Sequence, residues 1–266
     1  MKYITKILII IGFIALISAC SNKRKVFEVS GKITNSVSKK VHLQYLVWGA
    51  DRPIIVDSTS LQKDGSFILS TTYGKEESLY ELVIQDASNV LLINDNEKVF
   101  LNLDLNNYKT YITNGSDAST SLHTFLNTYN TEYPKLIGLI QQFDTIQNKP
   151  ISDSIKTVVR LLKENQLQKV NGVITSAFKN TTSPALQYYL TAKAFATLPL
   201  PQILQLNSVA IGQHPNHSGL TFLKSVITKE LAKQKAIDET ELKRKKDSIT
   251  NRLDTLKKIP IDSLKK

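Results

Sequence analysis

The pattern of apolar residues along this chain changes its period once, at Asn114-Gly115-Ser116-Asp117. Before that point apolar and polar residues alternate, as in 27–33 and 41–45, which is the period of a strand with one buried face. After it, apolar residues recur three and four positions apart, as between Leu122 and Tyr129, which is the period of a helix. The order of the two patterns predicts an α+β fold built in two successive parts.

Residues 27–113 are predicted to form a β domain. Strand patterns occur at 27–33, 41–45, 66–70, 80–84, 90–93, 99–105 and 108–112. Asp64-Gly65 and Asn94-Asp95-Asn96 lie between them as turn sequences. Short strands at this spacing are typical of an antiparallel β-sandwich or a partly open barrel.

Residues 114–237 are predicted to form a helical domain, and residues 238–266 a charged tail that is helical or partly disordered. Helical patterns occur near 122–129, 136–143, 153–170, 184–194, 200–209 and from 219 onward. In the tail, Leu242, Ile249, Leu253 and Leu256 form a heptad-like seam. An apolar seam of this kind could pair with a second copy of the chain, bind a partner helix, or pack against the chain's own helices.

The N-terminus predicts export and lipid attachment. Lys2 and Lys6 precede an apolar run, 7–17, which is too short to span a bilayer but has the length of a signal-peptide core. The run ends in Ile17-Ser18-Ala19-Cys20, which resembles the bacterial lipobox. We therefore expect residues 1–19 to be a lipoprotein signal peptide, Cys20 to carry the lipid, and 20–26 to be a tether. Two or more acyl chains on Cys20 would anchor the protein stably.

The expected location is the envelope of a Gram-negative bacterium. Ser21 and Asn22 are not acidic, which favours the outer membrane and its periplasmic face. The formal net charge is +11, and residues 224–266 hold 13 Lys and Arg against 7 Asp and Glu. Because export excludes nucleic acid as a partner, an envelope protein, a membrane surface or an anionic polymer is the expected target.

Several sequence elements resemble those of a known family. They are Ile54-Ile55-Val56-Asp57-Ser58, Lys63-Asp64-Gly65-Ser66-Phe67, Tyr111-Ile112-Thr113-Asn114-Gly115-Ser116, and Pro215-Asn216-His217-Ser218. Together they resemble the N-terminal domain of unknown function, with its following helical segment, in exported bacterial thioredoxin-like thiol:disulfide oxidoreductases. The resemblance covers residues 27–235 and implies a β domain followed by helices. Residues 238–266 lack the Trp-Cys-x-x-Cys motif of the family's thioredoxin domain, so the redox activity is not carried over.

Candidate site residues are few. His214 and His217 form an H-x-x-H pair that could bind zinc if a carboxylate joined them, although a polar loop whose Ser218 caps the next helix is the simpler explanation. Trp48, with Tyr45 and Arg52, lies at a strand end, where an exposed aromatic could bind a glycan or a partner. The alternative is that Trp48 packs at the rim of the sandwich.

The sequence favours a binding or accessory function over catalysis. It has a single cysteine and no Walker loop, G-x-S-x-G elbow or Cys-x-x-Cys motif. We therefore expect a non-catalytic envelope lipoprotein without a cofactor. The alternatives are an accessory partner of a separate periplasmic thioredoxin-like oxidoreductase, and a metal-binding enzyme that uses His214 and His217.

Overall fold

The computed structural model describes residues 26–74, 76–85, 87 and 89–257, with side chains described as far as residue 250. The predicted signal peptide and Cys20 lie outside the described residues. The chain first forms eight strands: β1 (Phe27–Thr34), β2 (Lys40–Tyr45), β3 (Ile54–Ser60), β4 (Ser66–Thr71), β5 (Leu79–Ile84), β6 (Val90–Ile93), β7 (Lys98–Asp104) and β8 (Ile112–Asn114).

Five helices follow the strands, so the predicted α+β class is confirmed. They are α1 (Asp117–Gln147), α2 (Asp153–Lys179), α3 (Pro184–Ala194), α4 (Leu200–Gln213) and α5 (Ser218–Lys257). A short 3-10 helix, Leu105–Thr110, lies between β7 and β8.

The strands form two four-stranded sheets that do not close into a barrel. Their orders are β4-β1-β7-β8 and β3-β2-β5-β6. Buried residues alternate with half-buried or exposed ones along β1 and β7, and the buried sets of the two sheets face a common core. The pairs are antiparallel except β1–β7, which is parallel, with Glu28 opposite Lys98. Parallel partners need a long crossover, and here the chain forms β2 to β6 between them.

Three local predictions were wrong. The last predicted strand, 108–112, begins only at Ile112, the first residue of β8, because Asp104 Oδ1 accepts the Asn106 N–H at 3.0 Å and starts the 3-10 turn that occupies the preceding residues. β3 was missed because no alternation of buried and exposed side chains marks it. The helices predicted at 122–129 and 136–143 are one helix that continues through Pro134. The buried residue Leu136 shows that packing beyond the proline offsets its helix-breaking effect.

The sheets and the helices share a hydrophobic cluster. Leu79 and Ile93 are paired neighbours on β5 and β6, and both are buried among helical side chains. Phe125 of α1, Leu190 of α3 and Leu220 of α5 belong to the same cluster. The helical part is therefore packed against the end of one sheet.

Helix α5 leaves this core partway along its length. Leu220, Leu223 and Ile227 are buried, but every residue from 232 to 250 is exposed. The stretch 232–257 extends roughly 40 Å, at about 1.5 Å per residue. The predicted boundary at residue 238 falls inside α5, and the seam residues Leu242 and Ile249 are 54% and 59% exposed. They therefore do not pack on the chain's own helices.

Within the described residues, each helix is too short or too polar to cross a bilayer.

A buried carboxylate joins α1 to α2. Glu132 Oε2 accepts a hydrogen bond from Gln166 Nε2 at 2.9 Å. Lys135 Nζ lies 3.0 Å and Lys169 Nζ 3.1 Å from the same carboxylate. The Gln166 hydrogen bond and then the two lysines lower the pKa of Glu132 to about 2.

This pKa predicts a specific dependence of stability on pH. Because the folded pKa lies below the usual value of about 4.3, the ionised Glu132 stabilises the fold above that value. The stabilisation is lost as the pH falls toward the folded pKa. Chemical denaturation of the wild type and Glu132→Gln at about pH 6 and about pH 3 tests this. The variant should lose less stability on acidification, and equal losses in both proteins would contradict the assignment.

Candidate functional site

Three helices begin at the junction between the β domain and the helical part. A helix N-terminus presents backbone N–H groups without partners and a partial positive charge, so a carboxylate there is stabilising. Each of the three N-termini meets a carboxylate from a loop of the β domain: Asp95 at α1, Glu77 at α3 and Glu76 at α5. We call these residues the junction carboxylates.

Asp95 binds the first turn of α1. The hydroxyl of Ser116 donates to Asp95 Oδ1, and the Ala118 N–H donates to Oδ2 at 3.0 Å. Ser116 Oγ also accepts the Ser119 N–H at 2.9 Å, as an N-cap does. The buried Ser119 hydroxyl in turn accepts the Ile93 N–H at 2.8 Å. These bonds fix the start of α1 against the β6–β7 turn.

Glu77 binds the first turn of α3. The Ser183 hydroxyl and the Ala185 N–H, the latter at 3.3 Å, both donate to Glu77 Oε1. Ser183 Oγ accepts the Leu186 N–H at 3.0 Å and so caps the helix. Burial raises the pKa of Glu77, and the hydrogen bonds from Ser183 and Ala185 offset this only in part.

Glu76 binds both the first turn of α5 and the only tryptophan. The Ser218 N–H donates to Glu76 Oε2 at 3.0 Å, the Ser218 hydroxyl donates to Oε1, and Trp48 Nε1–H donates to Oε1 at 3.0 Å. Partial burial acts to raise the pKa of Glu76, but the hydrogen bonds from Ser218 and Trp48 outweigh it and lower the pKa.

His217 has a structural position at the same junction. Its Nδ1 lies 3.3 Å from the Leu220 N–H, which can only donate, so Nε2 carries the ring proton and donates to the Glu77 carbonyl oxygen at 2.8 Å. The Thr221 N–H bonds the His217 carbonyl at 3.2 Å, which makes His217 the N-cap of α5. Both ring nitrogens are therefore engaged.

The geometry gives little support to the proposed zinc pair. His214 Nε2 is buried without a hydrogen-bond partner, beside Pro184, Pro215 and His217. Across the parts of the chain that the structure describes, no three His, Cys, Asp or Glu side chains are grouped so that they could hold a metal ion.

Trp48, Tyr45 and Arg52 do not form one exposed surface. Trp48 is half-buried, with its ring centroid 4.3 Å from Tyr188 and 5.4 Å from His217. Tyr45 is buried beside Tyr80 in the sandwich core, whereas Arg52 is exposed. The structure thus gives Trp48 a packing position between the β domain and the helices.

A cleft of about 660 Å³ opens beside the junction. Its lining includes all three junction carboxylates, together with Glu97 and Lys98. Since the junction carboxylates are hydrogen-bonded to helix N-termini, much of the negative charge beside the cleft already has a partner.

The hairpin of α1 and α2 carries an exposed apolar surface. Its residues lie on successive turns of α2. Because each residue of a helix is rotated by about 100° from the one before it, these residues fall within about 120° of one another around the helix axis. They are Ile155, Val158, Leu161 and Leu162, which are 53%, 56%, 48% and 49% exposed. We call this set the hairpin surface.

The architecture defines the class of this protein: a two-sheet β domain joined to a helical unit through carboxylate-capped helix N-termini. Comparison of the chain with protein-family models, curated protein sequences and solved structures finds no match. The resemblance to the N-terminal domain of exported thioredoxin-like oxidoreductases stays a prediction.

The sequence alone does not identify the junction carboxylates. It marks Ser116 or Asp117 as a cap of the first helix and Pro184 as a first-turn residue, but a capping residue does not show which carboxylate it meets. Glu76 and Ser218 are 142 positions apart, and Glu77 and Ser183 are 106 apart. Only folding brings such pairs together.

Gly219 tests the packing of Trp48. A Cβ at this position would lie 2.7 Å from Trp48 Cδ2 and 2.8 Å from Cε2, both within the rigid ring. We expect Gly219→Ala to lower the free energy of unfolding by about 1–3 kcal/mol.

Gly138→Ala is the matched control, because a Cβ there meets no atom within 4 Å in the middle of α1. It should raise the free energy of unfolding by about 0.5–1 kcal/mol, the usual effect of removing a helix-interior glycine. Urea denaturation of both variants measures the two values. A Gly219→Ala protein as stable as the wild type would rule out close packing between Trp48 and α5.

Proposed function

We propose that this chain is a lipid-anchored, non-catalytic accessory protein of the bacterial envelope that binds a partner protein through its hairpin surface. The observation that carries the proposal is a group of four aliphatic side chains exposed on one face of α2: Ile155, Val158, Leu161 and Leu162. Single exposed apolar residues are ordinary on protein surfaces, whereas a contiguous group is typical of an interaction site.

The surroundings of the hairpin surface fit a protein partner. The same helix carries the Arg160–Glu164 ion pair, with Nη1 and Oε1 3.4 Å apart. Glu164 lies one turn beyond Leu161 and so places a charged group at one edge of the apolar group. An apolar centre with a polar rim is the usual anatomy of a protein interface. Burying one half-exposed aliphatic side chain contributes on the order of 1 kcal/mol, so four of them can drive a modest association.

The structural roles of the junction residues support the non-catalytic part of the proposal. Glu76, Glu77, Asp95 and His217 are the ionisable groups that meet at the junction. Each of them makes hydrogen bonds to the start of a helix. Ionisable groups held in this way stabilise the fold.

The proposal of a lipid anchor is based on the sequence Ile17-Ser18-Ala19-Cys20 and has a test of its own. Cells that express the chain are labelled with a fatty-acid analogue, and the membrane and soluble fractions are compared. Wild type should be labelled and membrane-bound. Cys20→Ser should lose the label, because Cys20 is the only cysteine. Equal labelling of both proteins would refute lipidation at Cys20.

The partner is tested by affinity capture from crosslinked envelopes with two adjacent substitutions. Val158→Glu places a charge in the middle of the hairpin surface, and we expect recovery of the partner to fall at least about tenfold. Thr157→Glu adds the same charge at an exposed position about 100° around the helix from Val158. Because Thr157 lies one turn before Leu161, at the edge of the hairpin surface, recovery should fall by less than about threefold.

The identity of the captured protein separates the two accessory functions. A thioredoxin-like oxidoreductase would favour the redox-accessory role that the resemblance implies, and another envelope protein would favour a general binding role. If wild type and both variants recover the same proteins equally, the hairpin surface is not the binding site.

A further inference from the structure

The outer half of α5 is an exposed helix with a narrow apolar stripe. With a rotation of about 100° per residue, four apolar residues fall within about 60° of one another around the helix axis: Leu242, Ile249, Leu253 and Leu256. The side chains of Leu242 and Ile249 are more than half exposed, and residues 251–257 continue the helical backbone. We call residues 242–257 the distal segment.

Positive charges border the stripe on both sides. By the same periodicity, Lys245 and Arg252 lie along one edge, and Lys246 and Lys257 lie along the other. Asp247 and Asp254 fall on the opposite side of the helix. The distal segment holds six Lys and Arg against two Asp and Glu. Lysines at the edge of an apolar stripe can extend their charged ends toward anionic groups while their stems cover apolar surface.

A coiled coil accounts less well for the same residues. Leu242, Ile249 and Leu256 are spaced by seven and can occupy one core position of a heptad. With Leu253 in the seam, the second core position falls on Lys246 and Leu253, and Lys243, Lys245 and Arg252 occupy positions that flank the core. A pair of such helices would bury Lys246 and bring like charges together beside a core of only about two heptads, which is shorter than a coiled coil usually needs.

We infer that the distal segment lies flat on an anionic phospholipid surface, with its apolar stripe in the headgroup region and its flanking cations against lipid phosphates. A stripe bordered by Lys and Arg is the composition of an interfacial helix, and anionic headgroups supply the complementary charge. Asp238, Glu239 and Glu241 precede the segment and would be repelled by such a surface, so contact begins near Leu242.

This inference goes beyond the proposed function, because it concerns α5 and not the hairpin surface. It holds whether or not a protein binds α2, and it uses no property of the N-terminal lipid.

The test reports on the distal segment alone. The full chain with Cys20→Ser and Ile249→Cys carries an environment-sensitive dye at residue 249. It is titrated with vesicles of phosphatidylglycerol and phosphatidylethanolamine, and separately with vesicles of phosphatidylcholine only. The dye emission should shift to the blue with the anionic vesicles and stay unchanged with the neutral ones.

Two double variants separate an oriented helix from unoriented charge attraction. Lys245→Gln with Lys246→Gln removes two flanking cations, and binding should weaken roughly thirtyfold, at about fivefold per cation near the surface. Lys243→Gln with Arg244→Gln removes the same charge from positions about 110° and about 150° away from the centre of the stripe. Those residues lie roughly 5–10 Å farther from the lipid, so binding should change less than about threefold because of screening.

Three results would overturn the inference. One is an absence of a blue shift with anionic vesicles, and another is equal weakening by the two double variants. The third is a blue shift that depends on protein concentration without vesicles, since that result would identify helix pairing between copies of the chain.

Discussion

Unpaired N–H groups at helix N-termini are the constraint on which the rest of this structure depends. Three helices start at the junction, and the first N–H groups of each have no acceptor within the helix. Asp95, Glu77 and Glu76 supply acceptors from two loops of the β domain. Each carboxylate also accepts a serine hydroxyl, so the orientation of each helix is fixed by side chain and backbone together.

This arrangement places the two halves of the chain in one packed unit. Leu79 and Ile93 at the sheet end are buried among helical side chains, and Trp48 packs against Tyr188 and Gly219. Glu76 and Glu77 are neighbours in sequence, yet the pKa of Glu76 is lowered and that of Glu77 is raised. The difference follows from burial, which dominates at Glu77, whereas hydrogen bonds dominate at Glu76.

With the junction packed, two surfaces remain exposed that are unusual for a protein acting alone. The hairpin surface exposes aliphatic side chains on α2, and α5 continues well beyond the core that holds its first turns. The first suits a protein partner, and the distal segment suits an anionic bilayer. Both assignments agree with an accessory protein that is held at a membrane and presents contacts to its surroundings.

The sequence by itself determined the elements whose cause is local. Alternating apolar residues predicted most of the strands, and three-and-four spacing predicted the helices. Lipidation at Cys20, which Ile17-Ser18-Ala19-Cys20 indicates, stays a prediction. The tertiary structure alone decided the parallel pairing of β1 with β7, the passage of α1 through Pro134 and the burial of Trp48 between the two halves. It also decided which carboxylate caps which helix. These features depend on residues far apart in the chain, and a local pattern carries no information about which distant groups will meet.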